Sequence, residues 1–543
     1  MNVPQALYRL PLVLMCLLVS APLLMLFKTW LSLDTAIWQH LWETQMLELV
    51  RNTLILLFGV GIGVSVIGVS LAWLTANCSF PGHRFFDWAL ILPLAIPAYV
   101  LAFVTLGIYD FGGIFQTILR SLGYQGFFDA RNPFMVVWVM TAVLYPYVYL
   151  LVRASFIAQG NHLIEVARVL GRSPWAAFFE VSLPAIRPAL VAGMSLALME
   201  ALADFGAVSI FGFNTFTTAI YKSWISLFSL QTAAQLSTLL LLFVMLCLFS
   251  EKLSSKAISL QGRTLSRKRE LIPLQGSSKW IATSFCSLVF ILTVVAPLMQ
   301  LLVWTAPIIS GLLEPEFLEV IARTFMLAAL AAFLVVVIAI AVTTVSFSDL
   351  RRSSAGSRFW SEFASLGYAL PGSVLAIGIM LALGGLDALI ANTGIGAPVL
   401  LGSLLGMILA YLIRFFRPGY GAVRTGFSAL HQNYLDASAL MGVTGWQRFR
   451  RLSLPLLLPG VMTGGLLVFV DVIKEMPASL LLRPFGWDTL AIKLYQLTSE
   501  GEWQRAALPA LALVLVSLLP VVLLIYRSRS SPSGIKHSEL PAA

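Results

Sequence analysis

The sequence predicts an all-α polytopic membrane protein with about 12 transmembrane helices in two parallel six-helix repeats. Three observations lead to this fold class. Of the 543 residues, 59% are hydrophobic and only 11% are charged, whereas a soluble domain carries about 25% charged residues. Twelve apolar runs reach the length of a membrane span, which is ~20 residues. Finally, a set of residues recurs at a constant offset of 271 along the chain.

The candidate spans form two groups of six, separated by a polar and basic segment. They cover 10–31, 54–76, 88–108, 133–152, 188–212 and 233–249, and then 280–304, 325–346, 363–385, 398–416, 456–482 and 506–526. The first run is longer than the core of a signal peptide and lacks a clear cleavage site of small residues. It is therefore interpreted as a span.

The distribution of basic residues predicts the orientation, because cytoplasmic loops are enriched in Lys and Arg. With the amino terminus inside, most of the 35 Lys and Arg residues fall in cytoplasmic segments, and the loop 251–279 is the most basic of them. The segment 305–322, placed outside, contains three Glu and no Lys or Arg. Both termini are thus expected in the cytoplasm. The net charge of +10 follows from this topology, so the expected surrounding is a lipid bilayer and no nucleic acid is expected to bind.

The repeat predicts two homologous halves, at 1–255 and 276–531, joined by a basic linker at 256–275 and followed by a tail at 532–543. The paired positions include Glu165 with Asp436, Gly171 with Gly442, Pro184 with Pro455, Glu200 with Asp471, and Asp204 with Glu475. Both halves have six spans and begin inside, so the repeats run parallel. Such an arrangement places a transport pathway between the halves.

Each half carries a predicted helix–glycine–helix segment in a cytoplasmic loop, at 162–184 and at 433–455. Glycine permits the positive φ that ends a helix, and the proline that follows suits the first turn of the next span. A single copy would be compatible with an amphipathic helix lying on the membrane surface. Two copies in fixed register favour a docking function. The candidate residues are Glu165, Ala167 and Gly171, and then Asp436, Ala437 and Gly442.

These two helix–glycine–helix segments, 162–184 and 433–455, are termed elbows. They resemble the EAA motif of binding-protein-dependent ABC importer permeases of the type I class, in which the corresponding segment is a coupling helix that docks on an ATPase. Val166 and Ser438 replace alanines of that motif, and Asp436 replaces its glutamate. The resemblance implies two copies of an ABC ATPase subunit and a periplasmic substrate-binding protein as partners. It also implies a location in the bacterial inner membrane.

The chain contains no GxxxxGK[ST] phosphate-binding loop and no Gly-Lys dipeptide. Because such a loop needs its lysine at the phosphates, ATP hydrolysis is assigned to the separate ATPase. We therefore expect this chain to be no enzyme and to hold no cofactor, with ATP and Mg²⁺ bound by the partner. The four cysteines and five histidines show no metal-ligand spacing, and the sequence leaves a metal site unknown.

Beyond each elbow the sequence resembles the fused two-half permeases of ferric-iron importers. The resembling segments begin Glu200-Ala-Leu-Ala-Asp204 and Asp471-Val-Ile-Lys474-Glu475, with Met476 and Ser479 in place of the commoner Leu and Thr. The resemblance implies Fe³⁺ import by alternating access. Import of thiamine, phosphonate, polyamine or sulfate by the same machine remains open, as do a secondary transporter and a scaffolding subunit.

Five charged residues within the apolar runs are candidates for a pathway or a gate, because charges inside a membrane are costly and mark functional sites. They are Glu200, Asp204, Asp471, Lys474 and Glu475. In each half two acids are four residues apart and share a helix face, and Fe³⁺, a hard cation, prefers oxygen ligands. Alternatively, the acids cap a broken helix or pair with the lysine. Four further cations near span ends are expected to snorkel or to set orientation: Arg153, Arg187, Arg414 and Arg417.

Overall fold

The computed structural model describes residues 9–32, 34–124, 126, 128–160, 162–255, 271–350, 355–393, 399–428, 434, 437–438, 440–443 and 445–530. Within these residues nearly all regular structure is helical, and the sheet consists of two strands of two residues each. The all-α prediction is therefore confirmed.

The first half is a series of helices with one short strand. The helices are α1 (Leu10–Lys28), α2 (Thr35–Thr44), α3 (Met46–Asn77), α4 (His83–Ala89), α5 (Ala98–Tyr109), α6 (Ile114–Ser121), α7 (Pro133–Gln159), α8 (His162–Val169), α9 (Pro174–Ala177), α10 (Leu183–Ala185), α11 (Arg187–Ala203), α12 (Gly206–Ile210), α13 (Phe216–Ile225) and α14 (Leu230–Ser255). Strand β1 (Cys78–Ser79) follows α3.

The second half begins with strand β2 (Ile272–Pro273). Its helices are α15 (Ser277–Phe290), α16 (Ala296–Thr305), α17 (Pro315–Leu350), α18 (Ala355–Ala364), α19 (Gly372–Thr393), α20 (Leu404–Ser428), α21 (Gly445–Arg448), α22 (Leu454–Lys474), α23 (Pro477–Leu482), α24 (Leu490–Ser499) and α25 (Trp503–Ser530). Short 3-10 segments lie at Thr29–Leu31, Leu92–Ala95, Ala306–Leu313 and Leu366–Ala369, and π-helical turns at Phe178–Ser182, Ile291–Val295 and Phe449–Ser453.

Nine helices of the described chain are long and apolar enough to cross a membrane, and a bent pair that includes α11 makes a tenth. Two of the twelve predicted spans, 398–416 and 506–526, are not among them. The first of these coincides with α20, which contains three arginines and is therefore less apolar. At the second, the apolar stretch of α25 is the shorter Trp503–Leu518.

The structure repeats at the offset that the sequence predicts. Helices α3, α7 and α11 pack on one another in the first half, and α17, α20 and α22 form the equivalent bundle in the second. The π-helical turns at Phe178–Ser182 and Phe449–Ser453 are 271 residues apart. The breaks after Ala203 and Lys474 are separated by the same interval.

The two halves interlock through their first helices. Helix α1 packs against α18 and α19 of the second half, and α16 packs against α5 of the first. Aromatic pairs join the halves on the α16 side, with ring centroids 5.3 Å apart for both Phe103–Trp304 and Phe85–Phe290. The halves are thus held by contacts other than the linker.

The end of the predicted linker and the start of α15 also bind the first half. Strands β1 and β2 pair in parallel, and the Leu274 N–H donates to the Ser79 carbonyl at 3.1 Å. One turn into α15, the Thr283 hydroxyl donates to the Pro81 carbonyl at 3.1 Å. These bonds fix the start of the second half against the loop between α3 and α4.

Cutting the linker is therefore expected to leave the two halves associated. Residues 1–260 and 261–543, co-expressed as two chains, should co-purify in mild detergent through a tag on one of them, because packed helices stay together in a membrane once inserted. A first half shortened to residues 33–260 lacks α1 and serves as the matched control. It should retain less of its partner. Halves that separate completely after the cut would contradict the interlocked arrangement.

Candidate functional site

The first elbow is a helix, a left-handed glycine and a second helix. Helix α8 ends at Val169, Gly171 has a φ of +82°, and α9 follows. Ala167 is buried with Ile164 and Ala177, whereas Glu165 is exposed. One face of the elbow thus packs on the protein and the other is free for a partner.

Trp73 connects the first elbow to the membrane bundle. This residue of α3 packs against the cluster that contains Ala167. Its ring also contacts Phe178, with centroids 4.8 Å apart, and Phe156 of α7 at 5.3 Å. Trp73 thus places the first elbow in direct packing contact with α3 and α7.

The second elbow turns in the same way. Gly442 has a φ of +74°, and the Val443 N–H donates to the Ser438 carbonyl at 2.9 Å, as the Arg172 N–H does to the Ala167 carbonyl at 3.0 Å. These equivalent bonds close the helix end in the manner typical of a left-handed glycine. Ala437 is exposed and Ser438 is buried, so Ser438 occupies the place of Ala167. Asp436 lies outside the described residues.

The candidate acids lie at two broken helices. Helix α11 ends at Ala203, and Asp204 accepts the Ala207 N–H of α12 at 2.9 Å. Helix α22 ends at Lys474, and Glu475 accepts the Ala478 N–H of α23 at 3.0 Å. Both acids therefore cap the short helix that follows the break. This is the alternative expected from the sequence, in which the acids cap a broken helix and do not line a pathway.

One cavity of about 160 Å³ brings all five pathway candidates together. Both halves contribute to its wall, which contains Glu200, Asp204, Asp471, Lys474 and Glu475 together with Tyr99, Tyr147, Tyr368 and Arg414. The cavity lies where the two broken helices meet. The repeat alone would not have placed the acids of one half beside those of the other.

Arg414 does not snorkel at a span end, so that prediction is wrong. It is buried, with 8% of its surface exposed, and its Nε lies 3.2 Å from Glu475 Oε2, a carboxylate that is itself buried. Arg153 also departs from that expectation, since it pairs with Asp87. Arg187 and Arg417 are exposed as predicted. Sequence reasoning missed Arg414 as a site residue, although an arginine inside an apolar run was the available signal.

The lysine of the cavity joins the halves. Lys474 Nζ lies 3.8 Å from Asp471 Oδ1 and donates to the carbonyl of Leu94 at 3.3 Å. The Tyr99 hydroxyl donates in turn to the Lys474 carbonyl at 3.3 Å. Lys474 therefore ties the break of the second half to the 3-10 segment and α5 of the first.

Glu200 accepts a hydrogen bond from a hydroxyl and forms no direct ion pair among the described residues, while Arg414 interacts with it electrostatically. The Tyr368 hydroxyl donates to its Oε1 at 3.3 Å across the two halves. In the same part of the chain, no three His, Cys, Asp or Glu side chains converge as ligands of a metal ion. The cavity thus contains two carboxylates that form no direct ion pair, Glu200 and the helix-capping Asp204, without forming a closed metal site.

Known proteins that are similar to this chain are transport permeases. The sequence matches the family described as "Binding-protein-dependent transport system inner membrane component" twice, over residues 64–253 and 336–528. It is 29% identical over 491 residues to the Fe(3+)-transport system permease protein FbpB 2 of Haemophilus influenzae, covering 89% of this chain and 90% of that protein.

Shorter matches involve permeases named for other cargos. The sulfate transport system permease protein CysT of Escherichia coli is 28% identical over 204 residues, which are 36% of this chain and 70% of that protein. The molybdenum transport system permease protein ModB of the same species is 30% identical over 176 residues, 32% of this chain and 72% of that protein. The double family match covers both repeats of the fold. The chain therefore belongs to the inner membrane components of binding-protein-dependent transport systems, as a multi-pass permease with two fused copies of the family's unit.

Proposed function

We propose that this permease imports ferric iron across a bacterial inner membrane, driven by a separate ATPase that docks on the two elbows. One ATPase copy binds each elbow, a periplasmic binding protein delivers the cargo, and both termini face the cytoplasm. The observation that carries the cargo proposal is the cavity between the broken helices, with its excess of carboxylates. The similarity to the Fe(3+) permease over 89% of the chain supports the same cargo.

The charge of the cavity favours a cation over an anion. Its wall contains the side chains of four acids and of two basic residues, Arg414 and Lys474. With all six ionised, the excess is two negative charges, which would repel sulfate or molybdate in the low dielectric of a membrane. Oxygen donors from carboxylates and tyrosines suit Fe³⁺. The negative charge of the cavity therefore favours the proposed cargo over the cargos in the names of the shorter matches.

The four acids divide into different roles. Asp204 and Glu475 cap helices, and Asp471 is close to Lys474. Glu200, held only by the Tyr368 hydroxyl, is the group that we assign to contact with the passing cation. One carboxylate outside any direct ion pair binds a cation weakly, which suits a pathway because the cargo must also leave.

The elbows provide the coupling to ATP. Glu165, Ala167, Gly171 and their counterparts Asp436, Ala437 and Gly442 form the docking surfaces, while the ATPase binds ATP and Mg²⁺. Closure of the ATPase dimer moves the elbows, and the first elbow transmits that motion through Trp73 to α3 and α7. The halves then rotate to open the cavity toward the binding protein, and hydrolysis returns them.

The test is reconstitution of the chain in proteoliposomes with its ATPase and binding protein. ATP hydrolysis should rise when the binding protein carries Fe³⁺. Stimulation by thiamine, a phosphonate, a polyamine or sulfate instead would contradict the proposed Fe³⁺ cargo but support ATP-driven import. Cargo uptake without any ATPase would indicate a secondary transporter. Failure of the ATPase to bind would overturn the coupling role of the elbows.

Glu200→Gln is expected to slow Fe³⁺ uptake by about tenfold or more, because it removes the negative charge while keeping the side chain's size and its bond to Tyr368. ATPase binding should be unchanged, since Glu200 is remote in sequence and structure from both elbows. Uptake of ⁵⁵Fe into the proteoliposomes measures the effect. Glu48→Gln, which changes an acid outside the cavity, is the matched control. Equal uptake by both variants would remove Glu200 from the pathway.

A further inference from the structure

The two broken helices occupy equivalent positions in the repeat but are built differently. In the second half Glu475 is paired with Arg414. In the first half the residue at the position of Arg414 is Val143. Asp204 makes no ion pair within the described chain and is held by backbone N–H groups alone, those of Ala207 and Val208 at 2.9 and 3.3 Å. The cationic partner is thus present at one break only.

Arg414 joins three elements at the second break. Its Nε contacts Glu475 at 3.2 Å, and its Nη1 donates to the carbonyl of Leu370 at 3.4 Å, just before α19. One turn earlier on α20, Tyr411 shares a 2.7 Å hydrogen bond with the Ser479 hydroxyl of α23. Helix α20 is therefore bonded both to Glu475 within the break and to Ser479 of α23.

The backbone differs at the residue that begins each short helix. This residue is Gly206 in the first half and Pro477 in the second. Proline fixes φ and reduces the conformations available to the break, whereas glycine leaves the backbone free. Gly206 also allows close packing against α5 of its own half and against the second half, because a Cβ there would lie 2.6 Å from the Tyr99 Cβ and 2.7 Å from the Met476 Cε.

The helices that lead into the breaks differ as well. In the first half, Trp175–Ala185 and Arg187–Ala203 meet at an angle of 66°. In the second half, Phe449–Lys474 runs as one span-length helix. The first half thus has a second bend on the elbow side of its break, whereas the second half reaches its break through one continuous helix.

We propose that the two halves of the pathway move unequally, with the break at Asp204 acting as the hinge and the break at Glu475 held fixed by Arg414 as a positioning residue. This proposal rests on the proposed function for its use in transport, since one moving break is enough to open the cavity. The structural difference between the two breaks is present in the permease without its partners. It is therefore tested on the permease without its partners.

The equivalent positions Val208 and Ser479 report on the two breaks. Both side chains are fully buried, at 0% exposure, and cysteine is close in size to each. The thiol at 479 can keep a weaker hydrogen bond to the Tyr411 hydroxyl in place of the serine. In a chain whose four native cysteines are replaced by serine or alanine, Val208→Cys and Ser479→Cys are labelled with a membrane-permeant maleimide in proteoliposomes. Because labelling of a buried thiol requires local opening, Val208→Cys should react at least about tenfold faster.

Two further variants test the cause. Arg414→Lys keeps the charge but loses the planar fork, and Pro477→Gly frees the backbone without touching the ion pair. Each should speed labelling at Ser479→Cys and leave Val208→Cys unchanged, whereas a general loss of stability would speed both. Equal labelling at the two positions in the otherwise unaltered chain would overturn the proposal. Faster labelling at Ser479→Cys than at Val208→Cys would also overturn it.

Addition of the ATPase separates this inference from the proposed function. If ATP then speeds labelling of Val208→Cys and leaves Ser479→Cys protected, the hinge is used in the transport cycle. If the ATPase does not bind, the proposed function fails, while the labelling of the permease alone still decides the inference.

Discussion

Replacing both elbow glycines with valine is expected to abolish cargo-stimulated ATP hydrolysis. Gly171 and Gly442 adopt φ values of +82° and +74°, a region that costs a residue with a side chain about 1–3 kcal/mol, and β-branched residues are among the least tolerant. The helix end would unwind and the docking surface beyond it would be displaced. Hydrolysis by the reconstituted complex, and retention of the ATPase on the tagged permease, measure the effect.

Asparagine at the same two positions is the matched control. It adopts the left-handed conformation more readily than any other type with a side chain of that size, and no atom lies within 4 Å of a Cβ at either position. The double Asn variant should therefore retain ATPase binding and most of the stimulation. If valine and asparagine had the same effect, the backbone conformation of the elbows would not be the reason for the loss.

Arg414→Leu is expected to destabilise the permease strongly. Glu475 is 5% exposed, and removing its partner leaves a buried carboxylate without a counter-charge. Breaking a buried pair in this way costs about 3–5 kcal/mol. The midpoint of thermal unfolding in detergent should fall, and the amount of monodisperse protein should fall with it.

The double variant Arg414→Leu with Glu475→Gln should recover most of this stability, because replacing both members of a buried pair by neutral groups avoids the unpaired charge. The amide oxygen of Gln can still accept the hydrogen bond from the Ala478 N–H, as the Glu475 carboxylate does when it caps α23. Arg417→Leu, an exposed arginine on the same helix, is the control for a general effect of losing positive charge. A double variant as unstable as the single one would show that the arginine acts by packing and not by pairing.

Composition and repetition predicted the fold class because both are properties of the chain as a whole. The bilayer demands long apolar helices, so twelve apolar runs are visible without any tertiary information. The positive φ at Gly171 and Gly442 was also predictable, since few residues other than glycine occupy it. Local rules are sufficient wherever one residue type determines the local geometry.

Breaks within apolar runs are less visible. Hydropathy treats 188–212 as one span, yet the helix ends at Ala203 because the next helix is capped by Asp204. Similarly, the run predicted at 88–108 becomes a 3-10 segment followed by a helix from Ala98, since Pro93 and Pro97 interrupt hydrogen bonding. An average over a window of residues cannot register one missing donor or one capping carboxylate.

The pairing of the cavity's charges depends on tertiary packing. Arg414 and Glu475 lie on different helices, and only the packing of α20 on α22 brings them together. The sequence identified Glu475 as a candidate and placed Arg414 at a membrane surface. The acids were recognisable by type, whereas their division into helix caps, a partner of Lys474 and a carboxylate held by the Tyr368 hydroxyl required the structure.

The packing of α1 against the second half has a consequence for biosynthesis, because the two surfaces are synthesised far apart in time. Helix α1 ends at Lys28 and its neighbour α19 begins at Gly372, so about 340 residues are synthesised between them, which takes roughly 20–70 s at the usual speed of translation. During that time α1 is inserted without α19, its main packing partner, and lipid must cover the face that α19 later buries. A ribosome that stalls before α19 consequently releases a chain whose first helix packs only on its other neighbours, such as α14.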